Sequence, residues 1–189
     1  MNIYDYQRLV GKIEDVPELR NEFIKIFDVK TKHDMARWGL LYAEHILEIT
    51  GLEPCDEVRH MFEAVQRWID GKANYRESRN IAFYSFNKDA HGQTELIKKK
   101  FYKTMAQITC IPHVKAHALW ATDMAITLIN QMHPHDLAAV QKERENQIEK
   151  LKYIKANNRE DVSSNLAVRF GADKRSYSLI KTTRFSAIF

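Results

Sequence analysis

The stretch Thr31-Lys32-His33-Asp34-Met35-Ala36-Arg37-Trp38-Gly39-Leu40-Leu41-Tyr42-Ala43-Glu44-His45-Ile46-Leu47-Glu48-Ile49-Thr50-Gly51 carries its own start, stripe and stop. Thr31 is a residue type that caps a helix N-terminus, and Asp34 adds negative charge to the first turn, where the helix dipole favours it. Met35, Trp38, Leu41, Tyr42, His45, Ile46 and Ile49 recur at helical spacing. Gly51 stands where a left-handed residue ends a helix. The segment is written as an amphipathic helix of roughly five turns.

The flanking sequence repeats this grammar. Upstream, Asp15 and Glu18 form a candidate capping box with Pro17 in the first turn, followed by the stripe Val16, Leu19, Phe23 and Ile26 or Phe27. Downstream, a third helix starts near Asp56 and runs through Val58, Met61, Phe62, Val65, Trp68 and Ile69 to Gly71. Asn74, with Glu77 three residues on, opens a fourth. Its run Ile81-Ala82-Phe83-Tyr84-Ser85-Phe86 also reads as a strand, but Gly92 as a natural stop and the helical neighbours favour a helix. Thr94 opens a fifth, with Leu96, Ile97, Phe101, Met105 and Ile108 as its stripe and Lys98-Lys99-Lys100 mostly facing solvent.

Pro112 suits the first turn of a sixth helix reaching about Met132, whose Ala118, Ala121 and Ala125 would let another helix approach closely. Pro134 opens a long seventh, with Leu137, Val140, Ile148, Leu151 and Ile154 on one side. Its middle, Gln141 to Gln147, is almost wholly polar and is expected to face water for two turns. Short loops imply antiparallel neighbours. The expected fold is all-α: a single-domain antiparallel bundle of about six to seven helices over residues 1–157, then an irregular basic extension over 158–189.

Composition agrees. The 189 residues suit one domain, and 44% hydrophobic with 29% charged residues is an ordinary globular balance. No apolar run approaches the ~20 residues that cross a bilayer, and the N-terminus lacks the basic patch and apolar run of a secretory signal. Cys55 and Cys110, without CxxC spacing, fit inert thiols in a reduced cytoplasmic protein. The net charge of +4 is uneven. From Arg159 onward six basic residues face three acidic ones, leaving residues 1–158 with 23 basic against 22 acidic, or +1. A near-neutral body argues against nucleic acid as the partner of the fold as a whole.

Few residues suggest chemistry. The glycines are scattered and cradle no phosphate, and no Ser or Cys sits in a nucleophile motif, so neither a catalytic residue nor a cofactor is assigned. His113 and His117, four apart, would stack on one helix face at a spacing that suits a divalent metal, with His45 or Glu44 as a third ligand. That pattern lacks the Glu of a zinc protease and more simply describes hydrogen-bonded histidines at a helix seam. A metal-dependent enzyme on a helical bundle, and a nucleic-acid-associated protein using the basic tail, are the readings it leaves beside a protein-binding one. In His133-Pro134-His135 one histidine is expected to help cap the junction. Trp38, Trp68 and Trp120 fall on apolar stripes and read as core. Tyr75, Arg76 and Arg79, beside Glu77, are candidates for contacting a partner, since aromatic and arginine residues dominate interface energetics.

Several segments together resemble one family. Ala36-Arg37-Trp38-Gly39-Leu40-Leu41-Tyr42-Ala43-Glu44-His45-Ile46-Leu47 is similar to the opening motif of the immunity-protein-five-like domains associated with bacterial polymorphic toxin systems. The resemblance continues through Val58-Arg59 and Ala64-Val65-Gln66-Arg67-Trp68-Ile69-Asp70-Gly71, then His113-Val114 and His117-Ala118, and ends in Lys142-Glu143-Arg144-Glu145-Asn146-Gln147. It spans roughly residues 31–152 and singles out Trp38, Glu44, His45, Trp68, His113 and His117. It implies an all-helical, cytoplasmic, non-catalytic immunity protein that binds a cognate protein toxin and neutralises it by stoichiometric occlusion, as toxin–antitoxin pairs do. It implies neither a membrane nor a nucleic-acid partner, and self-association into a homo-oligomer is compatible with it.

Overall fold

The computed structural model describes residues 13–156, with side-chain surroundings as far as Ile154. The expectations for the tail after Asn157 lie outside the described residues. Those residues form helices joined by short turns: α1 (Pro17–Val29), α2 (Lys32–Thr50), α3 (Asp56–Ile69), α4 (Tyr75–Ile81), α5 (Asn87–Gly92), α6 (Leu96–Thr109), α7 (His117–Met132) and α8 (Leu137–Ala156). A π-helical turn, Ala82–Phe86, links α4 directly to α5. No strand occurs among the described residues, so the segment 81–86 is helical, as its neighbours demanded.

Helix α2 is the axis, packed against α3, α6, α7 and α8. Its ends are as the sequence dictates. The Thr31 side chain accepts from the Asp34 N–H while Asp34 returns the bond to the Thr31 N–H, and Gly51 closes the helix at φ 63°. Met35, Ala36, Trp38, Leu40, Tyr42, Ala43 and Ile46 are fully buried, a wider face than the predicted stripe because neighbours cover the helix on several sides. Gly39 faces the end of α6 and the turn after it at close range: a Cβ there would lie 2.8 Å from Ile111 Cδ1 and 3.3 Å from Ile108 Cγ2. The alanine stripe of α7 works as expected, with Ala118, Ala121 and Ala125 all buried in the helix that packs on α6 and α8.

Two local expectations are corrected. Asp15 does not cap α1. Val16 takes the cap position without a side-chain bond, and Asp15 turns inward to Arg144. Pro112 does not open a helix either, because residues 110–116 form successive turns and α7 begins at His117. Those turns are held from outside: the Lys115 Nζ donates to the carbonyls of Phe27, Asp28 and Lys30 at 3.0, 3.3 and 2.9 Å, closing the C-terminal end of α1. At the α7–α8 junction His133 caps the end of α7 as expected, its main-chain N–H donating to the Ile129 carbonyl at 2.8 Å, while the Asp136 side chain accepts from the Ala139 N–H at 3.0 Å at the start of α8.

Candidate functional site

The largest departure from expectation lies in α8. Its polar middle does not face water: Glu143, Arg144 and Gln147 are buried, and Arg144 and Gln147 have no exposed surface at all. They meet residues from three other helices in one connected network. Arg144 donates through Nε and an Nη to the two oxygens of Asp15, at 2.9 and 2.8 Å, and through the same Nη to Asp123 at 2.8 Å. Its other Nη donates to the Gln147 side-chain oxygen at 3.1 Å. Arg20 from α1 grips Asp123 from the opposite side, with Nε and Nη each 3.0 Å from a carboxylate oxygen. Two guanidiniums and two carboxylates therefore neutralise one another inside the bundle.

A second branch runs to α2. The Gln147 amide donates to the Tyr42 hydroxyl at 2.8 Å, and that hydroxyl donates a short hydrogen bond to Glu143. The other Glu143 oxygen lies 2.7 Å from His45 Nε2, at the rim, where His45 keeps 12% of its side-chain surface exposed. The Trp38 indole N–H donates to the Gln147 main-chain carbonyl at 3.2 Å, and its ring stacks on Tyr42 with centroids 4.6 Å apart.

Burial sets the electrostatics. It raises the pKa of the Asp123 carboxyl, and the charge and hydrogen bonds of Arg144 oppose it. It also acts against the Arg144 charge, but the hydrogen bonds and charges of Asp15 and Asp123 prevail and hold this guanidinium above its ordinary value. Arg20 is lowered to about 10 by burial and by the neighbouring Arg144. The Tyr42 hydroxyl is pushed well up, by burial and then by Glu143. Such a network holds helices in one register, because any slip would strand a charge away from water.

The histidine pair has a different setting. His113 lies in the turn before α7 and stacks on Tyr75, with centroids 4.8 Å apart, so the two histidines do not share a helix. The His117 ring lies 6.4 Å from that of His113 and edge-on to Trp120. Its Nδ1 is 2.7 Å from the Gln107 side-chain oxygen, an acceptor, so Nδ1 carries the proton. Burial, with His113 adding to it, lowers the His117 pKa to about 4. No group of three His, Cys, Asp or Glu side chains that could hold a metal occurs among the described residues. His45, offered as a third ligand, is bonded to Glu143 instead. Both cysteines are free thiols, and burial pushes that of Cys110 up to about 11.

The other residues singled out by sequence divide between core and surface. Trp38 is buried; Trp68 and Trp120 are only half-buried, Trp68 stacking on His33 at 4.3 Å. Glu44 is half-buried on α2. Tyr75, Arg76 and Arg79 are exposed on α4. Sequence reasoning missed their neighbours Phe83 and Tyr84, which are 53% and 75% exposed while Ala82 and Phe86 are buried. It also missed the polar network, although a signal was present: Val140, Arg144, Gln147, Ile148 and Leu151 fall on one helical face, so the apolar stripe runs through Arg144 and Gln147.

Neither a curated protein nor a solved structure gave a significant match to the chain. One family model does match, over residues 25–154, and it is described as Imm-5 like putative immunity protein. It takes in α2 to α7 whole and most of α8, including every α2 and α8 residue of the polar network. The chain belongs to the Imm-5-like immunity protein family.

Proposed function

We propose that this chain is a bacterial immunity protein of a polymorphic toxin system, a binding protein and not an enzyme, which neutralises a cognate protein toxin in the cytoplasm by stoichiometric occlusion. The observation that carries the reading is the family match across the whole of α2 to α7 and most of α8. The placement of the motif residues supports it. Trp38 and His45 point into the polar network, and His117 is bonded to Gln107, so these side chains serve the scaffold and leave recognition to the surface. An interior tied across its helices by this network suits an inhibitor that offers a preformed surface, since little order has to be gained on binding. No helix among the described residues is long and apolar enough to cross a membrane.

The test is rescue. The tagged full chain is purified from its native cells, and a co-purifying protein with a toxin domain is expressed alone in a naive host. Growth arrest relieved by co-expression of this chain, with a one-to-one complex of the purified proteins, is the expected result. Arrest that persists at excess chain overturns the reading.

A further inference from the structure

We propose that the outward face of Tyr75–Tyr84, formed by Tyr75, Arg76, Arg79, Phe83 and Tyr84, docks the protein partner, and that the partner meets it with an acidic surface whose carboxylates flank an apolar recess. The proposal rests on the reading of the chain as a toxin-binding protein and says which surface binds and what chemistry it meets.

The arginines carry the argument. Seven lie among the described residues, and five are ion-paired within the chain: Arg20 and Arg144 in the interior, Arg37 with Asp34, Arg59 with Asp56, and Arg67 with Glu77. Arg76 and Arg79 have no carboxylate partner there. The acid between them, Glu77, is paired with Arg67 at 3.0 Å and forms no ion pair with either arginine. The Arg79 guanidinium lies 5.0 Å over the Phe83 ring, so charge and aromatic surface form one patch.

The aromatic half is built by the backbone. Ala82 and Phe86, four apart in the helical turn, share its buried face, so the residues just after Ala82 project away from it. That places Phe83 and Tyr84 in solvent. Tyr75 is anchored at the other end by stacking on His113. Exposed aromatics beside unpaired arginines are the composition of an interface centre and differ from a solvated helix face, where lysine and glutamate dominate.

Charge selects the occupant. A second copy related by a twofold axis would set Arg76 and Arg79 against themselves. Residues 159–189, six basic against three acidic, do not supply the matching carboxylates. An acidic partner does, and this agrees with a near-neutral body that would not steer a strongly basic toxin.

The experiment compares the full chain with R76E/R79E, Phe83→Ala/Tyr84→Ala and the control Arg59→Glu, measuring binding to the rescued toxin by calorimetry and stability by thermal melting. The expected result is binding weakened about 100-fold or more in each patch variant, with unchanged melting, and less than about 3-fold in the control. Hydrogen exchange on the wild-type complex, which needs no variant, is expected to show protection over residues 75–84. Undiminished binding by R76E/R79E, or protection confined to another surface, overturns the proposal while the immunity reading stands. A wild-type chain that neutralises no toxin removes the reading and this surface with it. Also overturning are a wild-type dimer that R76E/R79E dissociates, and salt-sensitive RNA or DNA binding abolished by the same variant.

Discussion

Arg144 and Asp123 lie 2.8 Å apart, and neither side chain has any solvent-exposed surface. Arg144 also holds Asp15, and Arg20 shares Asp123, so each charge has an opposite neighbour within hydrogen-bonding distance. Removing one member strands the others away from water. Arg144→Met is expected to cost about 3–5 kcal/mol, because two carboxylates lose their common partner. Arg144→Lys recovers only part of this, since an ammonium cannot bridge two carboxylates and an amide with a planar fork. Urea unfolding of the three proteins checks both statements; an Arg144→Met variant within 1 kcal/mol of wild type would sink the idea that the network holds α8 in register.

Tyr42 is the relay between α2 and α8. Tyr42→Phe keeps the ring on Trp38 but leaves Glu143 and the Gln147 amide each short of a bond in a buried site. The expected loss is about 1–3 kcal/mol, against nearly none for an exposed tyrosine such as Tyr84→Phe. Paired chemical denaturation curves measure the difference.

His117 gives the fold a pH dependence of known sign. Its native pKa of about 4 lies below the unfolded value of 6.5, so between those limits the unfolded chain binds more protons. The contribution is fully present above pH 6.5 and is lost as pH falls toward 4. A proton titration of the His117 ring by NMR should therefore show no midpoint near 6.5. His117→Gln should flatten the decline in urea midpoint between pH 7 and pH 5; a decline as steep as wild type would refute the assignment.

Lys115 joins the turn before α7 to the end of α1. Its ammonium lies 4.2 Å over the Phe27 ring as well as against three carbonyls. Lys115→Met retains the apolar stem and removes the cap, with an expected cost of about 1–3 kcal/mol. Local hydrogen exchange should quicken at the C-terminal turn of α1, and unchanged exchange there would contradict the role.

Much of this was legible in the order of residues. The bounds of α2 follow from Thr31, Asp34 and Gly51, and the class follows from stripes repeated between short loops. Arg76, Arg79 and Tyr75 could be named as surface because they stand in a polar segment. Phe83 and Tyr84 could not, because an almost wholly apolar run does not mark which of its sides is packed. The histidine pair was misplaced on a helix because residues 110–116 are held in turns by contacts distant in the chain.

Caps, stops and periodicity act within a few residues of each other, and they determined where most helices begin and end and that the fold is all-α. The fate of Arg144 depended on Asp15, 129 positions away, and on Asp123 in another helix. A charged residue tolerates burial only where opposite charge and hydrogen bonds await it, and such partners are gathered by packing, not by neighbourhood in sequence. The helices were therefore set by local chemistry. Only tertiary structure decided which polar residues hold them together and which remain at the surface.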